Sequence, residues 1–344
     1  MASSALPSKM RSAQWTTIPI QSSLTLNAST PLPSDAHSLP NKSALIKVSY
    51  ASLNPVDYKA TESSMFRLFG MGGKAPWMPC CDFSGTVITT NNLPHIRPGD
   101  RVVGFTSIPK FGTLAEYVVV EGSENIAKLP DGVDMKHAAT LTVAGQTALQ
   151  CIAPFVQKGD HVVINGASGG TGHFGIQIAT MLGCTVTAVC SGVNAEFCKR
   201  LGAAHVIDYT SGDVAQQLRN SGFQYDLIID NIAIGGPIYS MAHHYLKPAG
   251  KYVTIAAGPD LATVVGLIRT LGLPAWLGGG KRKSALIGHR ADREELEKMA
   301  GWVRDGKVVP EIERVYDLSE AADAFARLKT GRTRGKIVIK VEDE

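Results

Sequence analysis

Gly170, Gly172 and Gly175 stand in the spacing G-x-G-x-x-G, after the apolar run His161–Asn165 and at the start of a helical pattern over Phe174–Leu182. In that setting the spacing has a mechanism. The glycines allow a tight turn and let a diphosphate approach backbone N–H groups, while the start of the helix adds partial positive charge. The stretch therefore predicts a dinucleotide site. Sites of this kind hold the adenosine ribose with a carboxylate about 20 residues further on. Here that region reads Cys190-Ser191-Gly192-Val193-Asn194, and the first carboxylate is Glu196. A carboxylate would repel a ribose 2′-phosphate, whereas Ser191 and Asn194 can donate hydrogen bonds to one, and Lys199 and Arg200 lie on the same predicted helix. NADPH is the expected cofactor. Ser191 and Asn194 could also cap that helix, a role compatible with phosphate binding.

The elements that must hold these residues alternate between strand and helix from about 141 to 288. Strand patterns fall at His161–Asn165, Thr185–Cys190, His205–Ile207, Asp226–Asp230, Lys251–Ile255 and Ser284–Ile287, with further helices at Asn194–Leu201 and Asp213–Asn220. Successive βα units imply an α/β domain with a doubly wound parallel sheet. Before residue 141 the pattern is β-rich: Ala44–Val48, Arg101–Phe105 and Leu114–Val120 are separated by Pro/Gly turns such as Arg97-Pro98-Gly99-Asp100. That predicts a barrel-like antiparallel unit. After 288 come a helix with Leu296, Met299 and Val303 on one face, a helix over Ser319–Leu328, and a strand over Lys336–Val341 expected to return to the first unit. The predicted domains are 1–140 with 289–344, and 141–288.

The chain has 344 residues, 44% hydrophobic and 19% charged, which suits two folded domains and argues against disorder. The net charge of +4 is not gathered on one face, so a nucleic-acid partner is not expected. No apolar stretch reaches the roughly 18 residues of a membrane span. Six cysteines without C-x-x-C spacing suggest a reducing compartment, and a cytoplasmic location is expected, with an organelle address in the first nine residues left open.

Further motifs carry a resemblance. They are Asn54-Pro55-Val56-Asp57-Tyr58-Lys59, Cys81-Asp82-Phe83-Ser84-Gly85, Arg97-Pro98-Gly99-Asp100-Arg101-Val102, Gly145-Gln146-Thr147-Ala148, Ala167-Ser168-Gly169-Gly170-Thr171-Gly172, Leu201-Gly202-Ala203 with Asp208-Tyr209, and Gly335-Lys336-Ile337-Val338. Together they make the chain similar to zinc-independent members of the medium-chain dehydrogenase/reductase superfamily, near the quinone oxidoreductases and alkenal reductases. The resemblance implies a GroES-like catalytic domain beside a Rossmann cofactor domain, with the active site in the cleft between them. It implies Ser168, Gly169, Gly170, Thr171 and Gly172 on the pyrophosphate, Ser191, Asn194 and Tyr209 near the adenosine phosphate, and Thr147 and Asn231 nearer the nicotinamide. Relatives often carry a small Val-Gly pair where this chain has Asn231-Ile232-Ala233. The zinc-dependent branch places Cys where Asn54 stands, His where Cys81 stands and a further Cys near Val143–Ala144, so no metal is expected here. Cys80 and Cys81, as neighbours on a strand, would face opposite ways.

Without a Lewis acid, an alkoxide would be poorly stabilised, whereas conjugate addition spreads the arriving charge into an enolate or quinol oxygen. The expected reaction is therefore hydride transfer from NADPH to a quinone or to the C=C bond of an α,β-unsaturated carbonyl. A trans-acting enoyl reductase of a polyketide or other secondary-metabolite pathway, and a silent crystallin-like nucleotide binder, are the alternatives. Asn54 is the candidate for orienting the nicotinamide ribose or substrate oxygen, or else it makes an Asx-turn before Pro55. Lys59 either pairs with Asp57 or donates to the carbonyl. Tyr58 either relays a proton or packs. The expected partner is a small hydrophobic substrate; Leu261–Leu277 with Met65, Phe66, Phe69 and Trp77 either wall its pocket or form a dimer face or plain core. The chain is expected to be a monomer or homodimer.

Overall fold

The computed structural model describes residues 6–63, 75–108, 110–232, 236–255, 265–266, 268, 270, 273 and 280–342. Two compact units emerge: residues 1–143, 291–304 and 312–344 form one, and residues 144–290 with 305–311 form the other. Residues 305–311, expected in the first domain, join the second. The cause is local: Gln177 donates to the Val309 carbonyl at 3.0 Å and accepts the Val309 N–H at 2.7 Å, and Glu311 pairs with Arg200 at 2.6 Å.

In the second unit six parallel strands lie in the spatial order His205–Asp208, Thr185–Cys190, His161–Asn165, Tyr225–Asp230, Leu246–Ile255 and Lys283–Ile287. By chain order this is 3-2-1-4-5-6, the doubly wound arrangement whose crevice opens at the carboxyl ends of the strands. The central strands read as near-continuous Val/Ile because helices cover both faces. The helix after the first strand runs Gly170–Met181, starting four residues before the predicted Phe174. Glycine's poor helix propensity hid the first turn. A Cβ on Gly175 would lie 3.2 Å from Ile164 Cδ1, so a side chain there would crowd the helix against the sheet.

The first unit is organised by the strand Ser43–Leu53. One edge pairs antiparallel with Asp82–Asn91; the other takes Tyr117–Glu121 along its first half and Lys336–Lys340 along its second. Asp82–Asn91 continues to Arg101–Phe105 and then Ile126–Lys128, while Ile312–Asp317 lies parallel to Lys336–Lys340. The C-terminal strand thus returns to the N-terminal sheet. Ile46, Phe83, Phe325, Ile337 and Ile339 are fully buried in the core between sheet and the helix Ala321–Lys329. Of the expected apolar pocket, Met65, Phe66, Phe69 and most of Leu261–Leu277 lie outside the described residues. Trp77 stands edge-on to Trp15 at 5.9 Å and to Phe111 at 4.9 Å.

Candidate functional site

The glycine turn of the second unit is held by its own backbone. Gly166, at φ +71°, accepts the Gly169 N–H at 3.1 Å, and Ala167 N–H donates to the Val189 carbonyl at 3.0 Å. A Cβ on Gly172 would fall 2.2 Å from the Gly166 carbonyl oxygen, so only glycine fits that position. Gly169 is the helix N-cap and brings no capping side chain. The first-turn N–H groups of Gly170, Thr171 and Gly172 therefore have no intrahelical acceptor, the arrangement that receives a phosphate. Ser168, Gly169, Gly170 and Thr171 are half-buried and Gly172 is buried.

Ser168, Ser191 and Asn194, some 26 residues apart in sequence at most, come together. Asn194 Nδ2 donates to Ser168 Oγ and to Ser191 Oγ, each at 3.2 Å. Neither Ser191 nor Asn194 caps a helix with its side chain. Tyr209, just past the neighbouring strand, is 52% exposed, and its N–H donates to the Cys190 carbonyl. Lys199 and Arg200 are engaged elsewhere, with Glu196 and Glu311. Asp208 accepts hydrogen bonds from the Thr210 hydroxyl and N–H and from the Gly192 backbone, which hold its carboxyl below the usual range. Thr147 is buried at the start of the helix Thr147–Ile152. Asn231 donates its amide to the Asn165 carbonyl at 2.9 Å, and its own Oδ1 is buried with no donor among the described residues. The glycine cradle, the hydroxyl–amide cluster and this open acceptor fit a dinucleotide.

In the first unit, Asn54 is 3% exposed and turns inward. Its Nδ2 donates to Asp82 Oδ2 at 2.7 Å and to the Ser52 carbonyl at 3.2 Å, and its Oδ1 accepts from Lys336 Nζ at 2.5 Å. The side chain thus reaches buried partners, and with Asp57 it forms a capping box at the start of the helix Pro55–Glu62. Register explains the meeting: Ser52 pairs with Asp82 on one side, and Leu53 pairs with Ile337, next to Lys336, on the other. Asp57 is fully buried, accepting the Asn54 N–H at 2.6 Å and the Cys81 thiol at 3.4 Å. It does not pair with Lys59, because residues two apart on a helix face different ways; Lys59 is half-exposed. Tyr58 packs against the core with Lys329 Nζ 5.3 Å from its ring. Asp82 and Lys336 were not singled out as site residues. The signal available was a lysine opening a strand whose next three residues are Ile, Val and Ile.

A zinc donor set does not form from these residues. Asn54 Oδ1 faces an ammonium, the Cys81 thiol is pushed up by burial and by Asp57, and position 143 is valine. Among the described residues no three His, Cys, Asp or Glu side chains cluster as metal ligands. Cys80 and Cys81 precede the strand Asp82–Asn91, with Cys80 at φ +76°, so strand alternation does not govern them. Their thiols turn to different oxygens, the Ser52 carbonyl and Asp57 Oδ1.

Burial, with Asp82 nearby, pushes the Asp57 carboxyl up to about 7 from 3.8. Between those values the folded protein keeps a proton the unfolded chain has lost, so Asp57 withdraws stability as pH rises to about 7 and no further above it. His289, pushed down to about 4 from 6.5 by burial and Arg290, acts oppositely: its contribution is lost as pH falls from 6.5 towards 4. Asp57→Asn is expected to gain melting temperature relative to wild type as pH rises from about 5 to about 7.5. A variant–wild-type difference constant over that range contradicts the assignment.

Comparison with known proteins follows the same lines. Residues 40–131 match the alcohol dehydrogenase GroES-like domain and residues 201–339 match the zinc-binding dehydrogenase family. Trans-enoyl reductase pgmF of Aspergillus terreus is 35% identical, covering 99% of this chain and 98% of that protein. The mitochondrial NAD(P)H oxidoreductase RTN4IP1 of Mus musculus is 34% identical over 88% of this chain and 82% of its own. A solved quinone oxidoreductase from Coxiella burnetii has a TM-score of 0.83 at 31% identity, covering 97% of this chain and 99% of that one. The chain belongs to the medium-chain dehydrogenase/reductase family. It is accordingly an oxidoreductase with a nicotinamide cofactor.

Proposed function

We propose that the protein is an NADPH-dependent reductase that delivers hydride, without a metal, to the C=C bond of an α,β-unsaturated carbonyl or to a quinone. The observation that carries this reading is the Lys336–Asn54–Asp82 network, which commits Asn54, the residue standing at the first zinc-ligand position, to a buried ammonium and a buried carboxyl, while the Cys81 thiol is turned to Asp57. An acceptor served by such a site must disperse the incoming charge through its own conjugation. When bound, the reduced nicotinamide supplies the hydride.

The chain's own residues divide the remaining work. Ser168, Gly169, Gly170, Thr171 and Gly172 hold the diphosphate; Ser191, Asn194 and Tyr209 hold the 2′-phosphate; Thr147 and Asn231 serve the nicotinamide half. The Ser168–Asn194–Ser191 contacts support the phosphorylated cofactor, because they gather hydroxyl and amide donors, while the neighbouring Asp208 carboxyl is engaged by the Gly192 backbone and Thr210. Lys59 is the donor to the substrate oxygen, Asn54 positions its loop from beneath, and Tyr58 packs. Six unpaired, buried cysteines suit a reducing compartment such as the cytoplasm.

End-to-end similarity to the trans-enoyl reductase favours a second reading, an enoyl reductase that works on thioesters made by a separate synthase. NADPH oxidation measured over quinones, enals, enones and enoyl thioesters, with zinc assayed on the same sample, tests both. Turnover of conjugated acceptors with less than stoichiometric zinc is expected; thioesters turned over faster than quinones select the second reading. One zinc per chain required for turnover, or turnover of simple ketones alone, overturns the proposal.

A further inference from the structure

Asp230 closes the strand Tyr225–Asp230 at the carboxyl edge of the sheet and is 1% exposed. Its Oδ1 accepts from Asn165 Nδ2 at 2.8 Å and from the Ile232 N–H at 2.9 Å, and its Oδ2 accepts from the Tyr252 hydroxyl. These donors come from separate places. Asn165 is the last residue before the glycine turn, Ile232 lies in the loop after Asp230, and Tyr252 sits in the next strand. The Asn165 carbonyl completes the ring by accepting both the Asn231 side-chain amide and the Asn231 N–H. The two loops also touch directly, because a Cβ on Gly166 would meet Ile232 Cδ1 at 2.7 Å. One carboxylate thus ties the start of the glycine turn to the 231–232 loop.

A carboxylate suits this place for a stereochemical reason. It offers two acceptor oxygens and no hydrogen, whereas an amide of the same size has one acceptor oxygen and an NH₂ that would face a donor. We propose that Asp230 is a positioning residue for the dinucleotide: acting through Asn165 and Ile232, it fixes the glycine turn and the 231–232 loop at the separation the cofactor requires. It need not touch the cofactor. The inference rests on the family's nicotinamide cofactor and is indifferent to which acceptor is reduced.

The test is direct titration of NADP⁺ and NADPH by calorimetry into wild type, Asp230→Asn, Asn165→Ala, the double variant and Tyr252→Phe, with melting temperature recorded for each. Asp230→Asn is expected to weaken binding of both nucleotides about tenfold. The double variant is expected to bind no worse than Asp230→Asn, since both changes break one connection. Tyr252→Phe removes a single donor, keeps the fold, and is expected to weaken binding about threefold. Melting temperatures that fall in Asp230→Asn and Tyr252→Phe while both nucleotides bind as in wild type assign Asp230 a purely structural role and overturn the proposal, as do losses that simply add in the double variant. A wild-type chain that binds neither nucleotide overturns the cofactor reading itself.

Discussion

Lys336→Met is expected to lower folding stability by about 3–5 kcal/mol, because removing one partner of a buried charge cluster strands the others. Lys336 is 3% exposed and bonds to the Leu53 carbonyl at 2.8 Å and to Asn54 Oδ1. Burial lowers its pKa, while Asp82 and Asp57 work against that shift. Asp82, also fully buried, is raised by desolvation and held down chiefly by Lys336. Lys336 is thus the cation that faces two buried carboxyl groups, of which Asp57 is pushed up to about 7. Without Lys336 the Asp82 charge has no cation in the cluster, and Asn54 Oδ1 loses its donor. The measurement is a urea midpoint near neutral pH. Adding Asp82→Asn to Lys336→Met is expected to recover part of the loss, since the stranded anion goes with it. A Lys336→Met variant within about 1 kcal/mol of wild type contradicts the cluster's role.

Asn194→Asp is expected to weaken NADPH binding about a hundredfold, roughly 3 kcal/mol of like-charge repulsion, while NADH binding changes little. The carboxylate would sit where the amide now donates to Ser168 and Ser191, in the position from which an acid selects the unphosphorylated cofactor. Dissociation constants for both nucleotides, measured on both proteins, check it. Equal losses for NADPH and NADH would mean that the cluster supports the loop and reads no phosphate.

The fold could be read in the chain because its signals are local. The strands ending at Asn165, Cys190 and Asp230 are Val/Ile runs bounded by turn residues, and the glycine turn lies within one short segment between strand and helix. The chain shows no carboxylate of its own over 191–194, but not that register brings the Asp208 carboxyl from the next strand to the Gly192 backbone. The buried charge cluster was not visible, because it depends on register. Asp82 and Lys336 are 254 positions apart and meet only through opposite edges of the strand Ser43–Leu53. Local proximity was also misleading at Asp57 and Lys59, where helix geometry turns one side chain into the core and the other outward. Residues 305–311 joined the second unit through Gln177, a contact that no periodicity announces.

The most direct measurement is the fate of deuterium from NADPH labelled at C4, followed by mass and NMR analysis of the product from a conjugated enone. One deuterium on the carbon β to the carbonyl, with the C=O intact, is the result expected of metal-free conjugate reduction. Deuterium on the carbinol carbon, or transfer only after zinc is supplied, would contradict it.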